Sequence, residues 1–275
     1  MSDTRTPGYG QVDREYGIRL ATTPPDEDGP IWMVNLMSYR DQAVYDGTES
    51  AVTGREADDR YAPVDVLADI GAEVAFVADV EDQLLGESPR WDRIGVVRYP
   101  TRRSFIEMQS RPDFRAKHVH KEAGMAETIV VGGTPIPSPQ DRPDAPAPVD
   151  WGSVPHPPSD DDGPVVVLHL IRFHPGKADT DMERYQDDAA LVAVPHGVRI
   201  AGWFAIEGTI VGDGRRWDQV RFNQFPSKAA FLAVATDPRR LESQAAHREV
   251  AIADTYALIL RPTIDRLAES VARSS

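Results

Sequence analysis

The sequence contains no cysteine. It therefore has no disulfide, no thiolate nucleophile and no cysteine-ligated zinc site. It also lacks any apolar run of the roughly 18 residues that a membrane span requires. Its first residues, MSDTRTPGYGQVDREYG, include no hydrophobic segment of the kind found in secretory signals. We therefore expect a cytoplasmic protein that has no membrane partner.

Basic residues are in the minority, with 30 Lys and Arg against 44 Asp and Glu and a formal net charge of −14. Such a charge repels phosphate backbones, so we expect no nucleic-acid partner. The chain also has no Ser-His-Asp order, no P-loop, no dinucleotide-binding glycine motif and no HExxH zinc motif. Hydrolase, kinase and dehydrogenase functions therefore lack support, and no metal site is predicted.

What the sequence does contain is an internal repeat. A shift of 126 positions aligns the two halves without a gap over 42 positions. The aligned pairs are Gly71 with Gly197, Gly86 with Gly212, Trp91-Asp92 with Trp217-Asp218, Pro100 with Pro226, Phe105 with Phe231 and Pro112 with Pro238. Chance rarely aligns so many Trp, Gly and Pro positions, so the pattern indicates a tandem duplication.

Each copy has the same order of predicted elements. An apolar strand (31–39; 165–173) precedes a helix (61–70; 182–194), two strands, a second helix and a last strand. The order βαββαβ predicts a ferredoxin-like α+β unit whose two helices cover one face of an antiparallel sheet. The other face of each sheet would be bare, so we expect the two fused repeats to cover each other as one intramolecular barrel.

The predicted domains follow from this repeat and from composition. Residues 134–164 contain ten prolines, which favour extended, solvated chain over packed structure. The predicted boundaries are a polar N-terminal arm (1–30), the first repeat (31–135), a proline-rich linker (136–163), the second repeat (164–264) and a C-terminal tail (265–275).

Three motifs shared by both copies carry a resemblance to a known group of proteins. They are Trp-Asp on the third strand, an aromatic-Pro-x4-Phe turn (99–105; 225–231) and a late His-Lys/Arg-Glu (120–122; 247–249). In these motifs the chain resembles an uncharacterised family of the dimeric α/β-barrel superfamily. That superfamily includes cofactor-independent and flavin-assisted monooxygenases, haem-degrading monooxygenases, isomerases, haem-dependent dehydratases and proteins of no known activity. The resemblance implies the fold but does not choose among these functions.

The first copy also resembles the haem-degrading and antibiotic-biosynthesis monooxygenases. It has Asn35 on the first strand and FRAKHVH at 114–120, which would make His118 the ligand of a haem iron. Met108 stands where those enzymes have a Trp, and the second copy has His169 in place of Asn35. This resemblance implies haem or reduced flavin as a cofactor, with a cofactor-free protein as the alternative.

The candidate catalytic residues lie on the first strands. Asn35 alternates with Met33, Met37 and Tyr39, and the alternation predicts that these four side chains point into the barrel cavity. Asn35 would either contact substrate or oxygen, or be a core amide bonded to a neighbouring strand. His169 would be either a general base with a pKa near neutrality or a structural histidine.

Other candidates come from positions where the copies differ. The third strand carries Gly95 and Val97 in the first copy, against Arg221 and Asn223 in the second. We therefore expect one lobe to hold the roomier pocket and the other to contribute polar groups. The predicted substrate-binding residues are Met33, Met37, Met108, Val97, Trp203, Arg221, Asn223 and Phe173. The Trp-Asp pairs and the matched His120 and His247 are interpreted as structural.

These observations favour a small-molecule enzyme, an oxygenase whose hydrophobic, aromatic or polyketide-like substrate occupies the barrel cavity. Its catalytic residues would be His169, Asn35 and Tyr39. A haem-binding or haem-degrading protein that uses His118 is one alternative. A non-catalytic ligand-binding or stress-associated protein is another. A small hydrophobic substrate and a second copy of the chain are the expected partners.

Overall fold

The computed structural model describes residues 7–178 and 180–273. The first half comprises β1 (Gln11–Val12), α1 (Arg14–Thr22), β2 (Ile31–Tyr39), β3 (Val44–Tyr45), β4 (Thr48–Glu49), α2 (Gly54–Tyr61), α3 (Val64–Asp69), β5 (Glu73–Leu85), β6 (Arg93–Tyr99), α4 (Arg102–Ser110), α5 (Pro112–Gly124) and β7 (Met125–Pro135). The second comprises β8 (Val165–Phe173), α6 (Asp181–Ala193), β9 (Arg199–Gly212), β10 (Gln219–Phe225), α7 (Lys228–Ala235), α8 (Pro238–Ser243), α9 (Glu249–Ala251), β11 (Ile252–Asp265) and α10 (Leu267–Ala272). None of these helices has the length and hydropathy that a membrane crossing requires.

Eight antiparallel strands close into a barrel. The first half contributes them in the order β5-β6-β2-β7 and the second in the equivalent order β9-β10-β8-β11. The fourth strand of each half pairs with the second strand of the other, as in the pairs Leu260 with Val80 and Gly132 with Gly208. The predicted α+β class and the intramolecular barrel of two ferredoxin-like units are therefore confirmed.

The barrel interior is filled by apolar side chains. The buried cluster includes Trp32, Val34, Leu36, Phe76, Phe204 and Phe222. The prediction that Met33, Asn35 and Met37 point into a barrel cavity is therefore wrong, because Met33 packs with the helices instead. Both faces of β2 are apolar enough to be buried, so alternation alone does not say which one is inside. An eight-stranded barrel is just wide enough for its own side chains to fill.

The Trp-Asp pair fastens the third strand to the first in both halves. The Asp92 carboxylate accepts a hydrogen bond from the backbone N–H of Tyr39 at 2.7 Å, and Asp218 accepts one from Phe173 at 2.7 Å. Trp91 and Trp217 lie in the barrel core on either side of Tyr256, with ring centroids 5.5 and 5.6 Å from it. The pairs thus have the packing and strand-entry role that the sequence indicates.

The linker is packed, which corrects the expectation of solvated chain. Trp151 Nε1 donates to the Gly197 carbonyl at 2.7 Å, and Gln140 Nε2 donates to the Val198 carbonyl at 3.0 Å. Val154 is buried as well. The proline-rich composition predicts a segment without regular secondary structure. Trp151, Gln140 and Val154 nevertheless anchor this segment on the second half.

Both terminal segments also pack on the barrel. In the N-terminal arm β1 pairs with β9, and Tyr16 and Leu20 of α1 are buried. In the C-terminal tail Leu267 is buried in the barrel cluster, and Ser270 accepts a hydrogen bond from Trp32 Nε1 at 2.9 Å. Helix α10 therefore packs against the barrel core.

Candidate functional site

Each lobe holds a pocket between the outer face of its sheet and its helices. The first-lobe pocket has a volume of 670 Å³ and the second-lobe pocket 410 Å³. The candidate site residues divide between them. Asn35, Met33, Met37, Met108, Val97 and His118 line the first, whereas His169, Trp203, Arg221 and Asn223 line the second. Tyr39 and Phe173 line neither.

One pair of equivalent positions contributes to the size difference between the pockets. Gly95 lies opposite Asn35 on the neighbouring strand, and Arg221 lies opposite His169. The missing side chain leaves space in the first lobe, whereas the guanidinium of Arg221 occupies the same place in the second. This is the contrast between a roomy and a polar lobe that the third strands predict.

Two buried arginines dominate the second-lobe pocket. Arg221 is 4% exposed, and its guanidinium lies 4.2 Å from the centroid of the Trp203 ring. It donates through Nε to Gln219 Oε1 at 2.9 Å, and the Gln186 carbonyl oxygen is placed to accept from it at 2.9 Å. Arg248 is 7% exposed, and the described residues give it no hydrogen bond or ion pair.

The carboxylate whose charge acts on Arg248, that of Glu249, lies outside the lining of the pocket. Arg240 also lines it, whereas no Asp or Glu of the described residues does. Burial lowers the pKa of Arg221 to about 9, with the charge of Arg248 acting in the same direction. Both guanidinium groups still carry their charge at pH 7. The rest of the lining is mainly apolar, including Val167, Met182 and Phe231.

His169 lies in this positive environment. Burial, together with the charges of Arg248, Arg240 and Arg221, holds its pKa well below the usual 6.5. A pKa near neutrality was expected for His169 as a base, and this expectation is wrong, because the sequence does not show that three arginines converge on the ring. His169 is neutral at pH 7, so it can accept a hydrogen bond but binds a proton weakly.

Asn223 lines the second-lobe pocket, whereas Phe173 lies outside it. Asn223 Oδ1 accepts a hydrogen bond from Trp203 Nε1 at 3.0 Å, which fixes the indole under Arg221. Phe173 packs in a separate cluster with Ile171 and Met182. It therefore supports the pocket wall from behind.

The polar groups of the first-lobe pocket are largely paired with each other. Asn35 Nδ2 donates to the Met33 carbonyl of its own strand at 3.1 Å, not to a neighbouring strand. Tyr39 Oη donates to Asp58 at 2.6 Å, and Arg93 donates to the same carboxylate at 3.0 Å. Of this Tyr-Asp-Arg group, Asp58 and Arg93 line the pocket.

His118, the candidate haem ligand, lines the first-lobe pocket close to other polar groups. Its Nε2 faces the Tyr9 hydroxyl at 3.4 Å, and its Nδ1 faces the Glu122 carboxylate at 3.7 Å. The first contact is long for a hydrogen bond and the second is longer than one, so both ring nitrogens lie near polar protein groups without a firm bond. Two arginines that precede the 114–120 segment are paired with acidic residues. Arg102 pairs with Glu207, and Arg111 pairs with Asp69.

Sequence reasoning missed one buried cation in each lobe. Lys121 and Arg248 occupy the same place in the shared His-Lys/Arg-Glu motif, and both line their pockets. The accompanying histidines lie outside the pockets, where His120 bonds to Tyr45 at 2.8 Å. The basic residue that recurs in both copies of the motif is therefore the sequence feature that indicates these buried cations.

No protein-family model matches the chain, and the comparison with curated proteins gives no match. Among solved structures, an anthrone oxidase-like protein is 12% identical with a TM-score of 0.53, covering 87% of this chain and 96% of its own. A chlorite dismutase variant from Candidatus Nitrospira defluvii is 15% identical (TM-score 0.49; 94% and 100% covered). A Rhodopseudomonas palustris protein of unknown function is 26% identical (TM-score 0.42; 47% and 98% covered). The chain has the dimeric α/β-barrel fold, which small-molecule enzymes share.

Proposed function

We propose that the protein is a small-molecule oxygenase that holds an apolar, acidic substrate as its anion in the second-lobe pocket. The observation that carries this proposal is the pair of buried guanidinium groups, Arg221 and Arg248, in a pocket that no carboxylate of the described residues lines. Burying an unpaired charge is unfavourable, and an anionic ligand supplies the missing partner. The apolar remainder of the pocket suits an aromatic or polyketide-like body.

Arg221, Arg248 and His169 can also assist the reaction of a bound anion. Two fixed positive charges in a water-poor pocket lower the pKa of a bound phenol or enol and stabilise its anion. Neutral His169 can accept a hydrogen bond from the substrate and orient it. The electron-rich anion can then react with O2. A CH2 group becomes a carbonyl by gaining one oxygen atom, and the other oxygen leaves with both hydrogens as water.

The name of one fold neighbour supports oxygenation as the reaction. The anthrone oxidase-like protein is similar in fold only, at 12% identity. Its name suggests tricyclic substrates with an acidic CH2 group, and these have the chemistry that the pocket suits. Anthrone is therefore the first substrate to test.

A matched pair of ligands tests the binding part by titration calorimetry. 2-Naphthoate and 2-naphthamide have the same shape, so a site built for anions should bind the naphthoate at least tenfold more tightly. Arg248→Gln should remove that preference, whereas Arg239→Gln, whose side chain is 75% exposed, should preserve it. Equal affinities for the two ligands in the wild-type protein would overturn the proposal.

Oxygen uptake tests the reaction. With anthrone the wild-type protein should consume one O2 per product without releasing hydrogen peroxide, and Arg221→Gln should slow this at least tenfold. Anion binding without oxygen uptake above the buffer rate would instead identify a ligand-binding protein.

A further inference from the structure

The first-lobe pocket contains a buried lysine that the proposed function does not use. Lys121, in the last turn of α5, is 8% exposed and lines the 670 Å³ cavity. Its Nζ lies 5.3 Å from the centroid of the Tyr61 ring. The described residues supply no hydrogen bond or ion pair to this amine.

The nearest acid is already engaged. Asp58 lines the same cavity but accepts hydrogen bonds from Tyr39 at 2.6 Å and from Arg93 at 3.0 Å. Burial lowers the pKa of Lys121, and the charge of Asp58 opposes this only in part. The unprotonated, nucleophilic amine is therefore more populated than in an ordinary lysine.

The other lysines of the chain provide a contrast. The sequence has only four, at positions 117, 121, 177 and 228. Lys117 donates to the Ala62 carbonyl at 3.2 Å, Lys177 pairs with Asp181 at 2.7 Å, and Lys228 pairs with Glu81 at 2.8 Å. Of the four, only Lys121 lines a cavity and has an amine without a hydrogen-bond or ion-pair partner.

We propose that Lys121 is the nucleophile of a second site, which binds an apolar aldehyde or ketone covalently in the first-lobe pocket. The Nζ lone pair adds to the carbonyl carbon, the amine gives up two protons, and the carbonyl oxygen leaves with them as water. The product is an imine, and no oxidant or cofactor is consumed.

The pocket supplies what such a ligand needs. Met33, Met108, Phe105 and Phe114 provide apolar walls for its body. Burial raises the pKa of Tyr61 well above 10, so its hydroxyl remains protonated and can donate to the carbonyl oxygen. This site is independent of the second-lobe anion site.

Reductive trapping tests the proposal on the intact protein. 2-Naphthaldehyde with cyanoborohydride at pH 7.5 converts each imine into a stable naphthylmethyl amine, and peptide mapping measures the four lysines separately. Lys121 should be labelled at least tenfold faster than Lys117, and 2-naphthalenemethanol, which lacks the carbonyl, should slow labelling by competing for the pocket. Equal labelling of the two lysines would refute the site.

Variants identify the group that reacts. Lys121→Arg keeps a cation but forms no trappable imine, and Lys121→Met removes the amine, so both should lose the fast adduct. Lys117→Met should keep it. A fast adduct that survives in Lys121→Arg overturns the proposal. If Lys121→Met fails to fold, the competition by 2-naphthalenemethanol on the wild-type protein still tests whether the adduct forms in the pocket. Binding of 2-naphthoate should be unaffected in every case.

Discussion

Equivalent residues of the two lobes have acquired different chemistry at a few positions. Arg248 keeps a permanent charge where Lys121 can be a neutral amine, and Arg221 fills the space that Gly95 leaves open. The backbone around these positions is the same in topology. The two pockets therefore differ in their polar groups because of single side chains.

The pKa of His118 predicts how stability depends on pH. Burial lowers it from 6.5 to about 4, so the folded chain leaves this ring neutral where the unfolded chain protonates it. The contribution of His118 to the free energy of unfolding is therefore fully present above pH 6.5 and is lost as the pH falls towards 4. Between pH 7 and 5 the wild type should lose about 2 kcal/mol more than His118→Gln.

Urea denaturation of both proteins at pH 7 and pH 5 measures this difference. An equal loss of unfolding free energy in the wild type and in His118→Gln would contradict the burial of a neutral ring at this position.

At the level of the elements, the linker depends on a glycine of the second repeat. Gly197 has φ +79°, and a Cβ there would lie 3.0 Å from Trp151 and Val154. Its equivalent Gly71 has φ +71°, but the nearest atom, on Pro100, would be 3.9 Å away. Both positions therefore require a left-handed backbone, but only Gly197 lies against the linker.

Alanine substitution should separate these two contributions. Gly71→Ala should cost about 1 kcal/mol, the strain of a left-handed backbone. Gly197→Ala should cost about 2 to 3 kcal/mol, because it also displaces the linker. Urea midpoints give the costs, and faster cleavage of the linker by a protease should accompany only Gly197→Ala. Equal costs for the two variants would mean that Trp151 does not hold the linker.

The elements were also what the sequence predicted best. The first strands have the predicted bounds, and the second helices begin after the aromatic-Pro turns, where Thr101 and Ser227 cap them. The side of the sheet that holds the pocket could not be predicted, because both faces of β2 and β8 are almost equally apolar. The cluster of His169 with three arginines was equally hidden, because it joins residues from β8, β10, α8 and the π-helical segment (Gln244–Arg248) before α9.

For the whole molecule, closure of the barrel makes the two halves depend on each other. The seams β5 to β11 and β7 to β9 each join strands of different halves. Neither half can unfold without exposing the shared interior, in which Phe76 contacts Phe222 with ring centroids 5.4 Å apart. We expect one cooperative transition.

Far-UV circular dichroism and tryptophan fluorescence should therefore give the same urea midpoint. Leu267→Ala, at a fully buried position of α10, should lower the unfolding free energy by about 2 to 5 kcal/mol without splitting the transition. Leu241→Ala, at a site 45% exposed, is the control and should stay within about 0.5 kcal/mol of the wild type. Two separate midpoints would show that the halves fold independently.

The segment that precedes each repeat helps to enclose the pocket of that same repeat. Pro7, Tyr9 and Val12 of the arm line the first-lobe pocket, and Pro139, Gln140 and Pro146 of the linker line the second. In each half a segment therefore precedes the βαββαβ body and covers part of its pocket. Neither segment contributes a side chain to the buried cluster of the barrel interior, so the wall that each adds to its pocket can be altered while that interior stays intact.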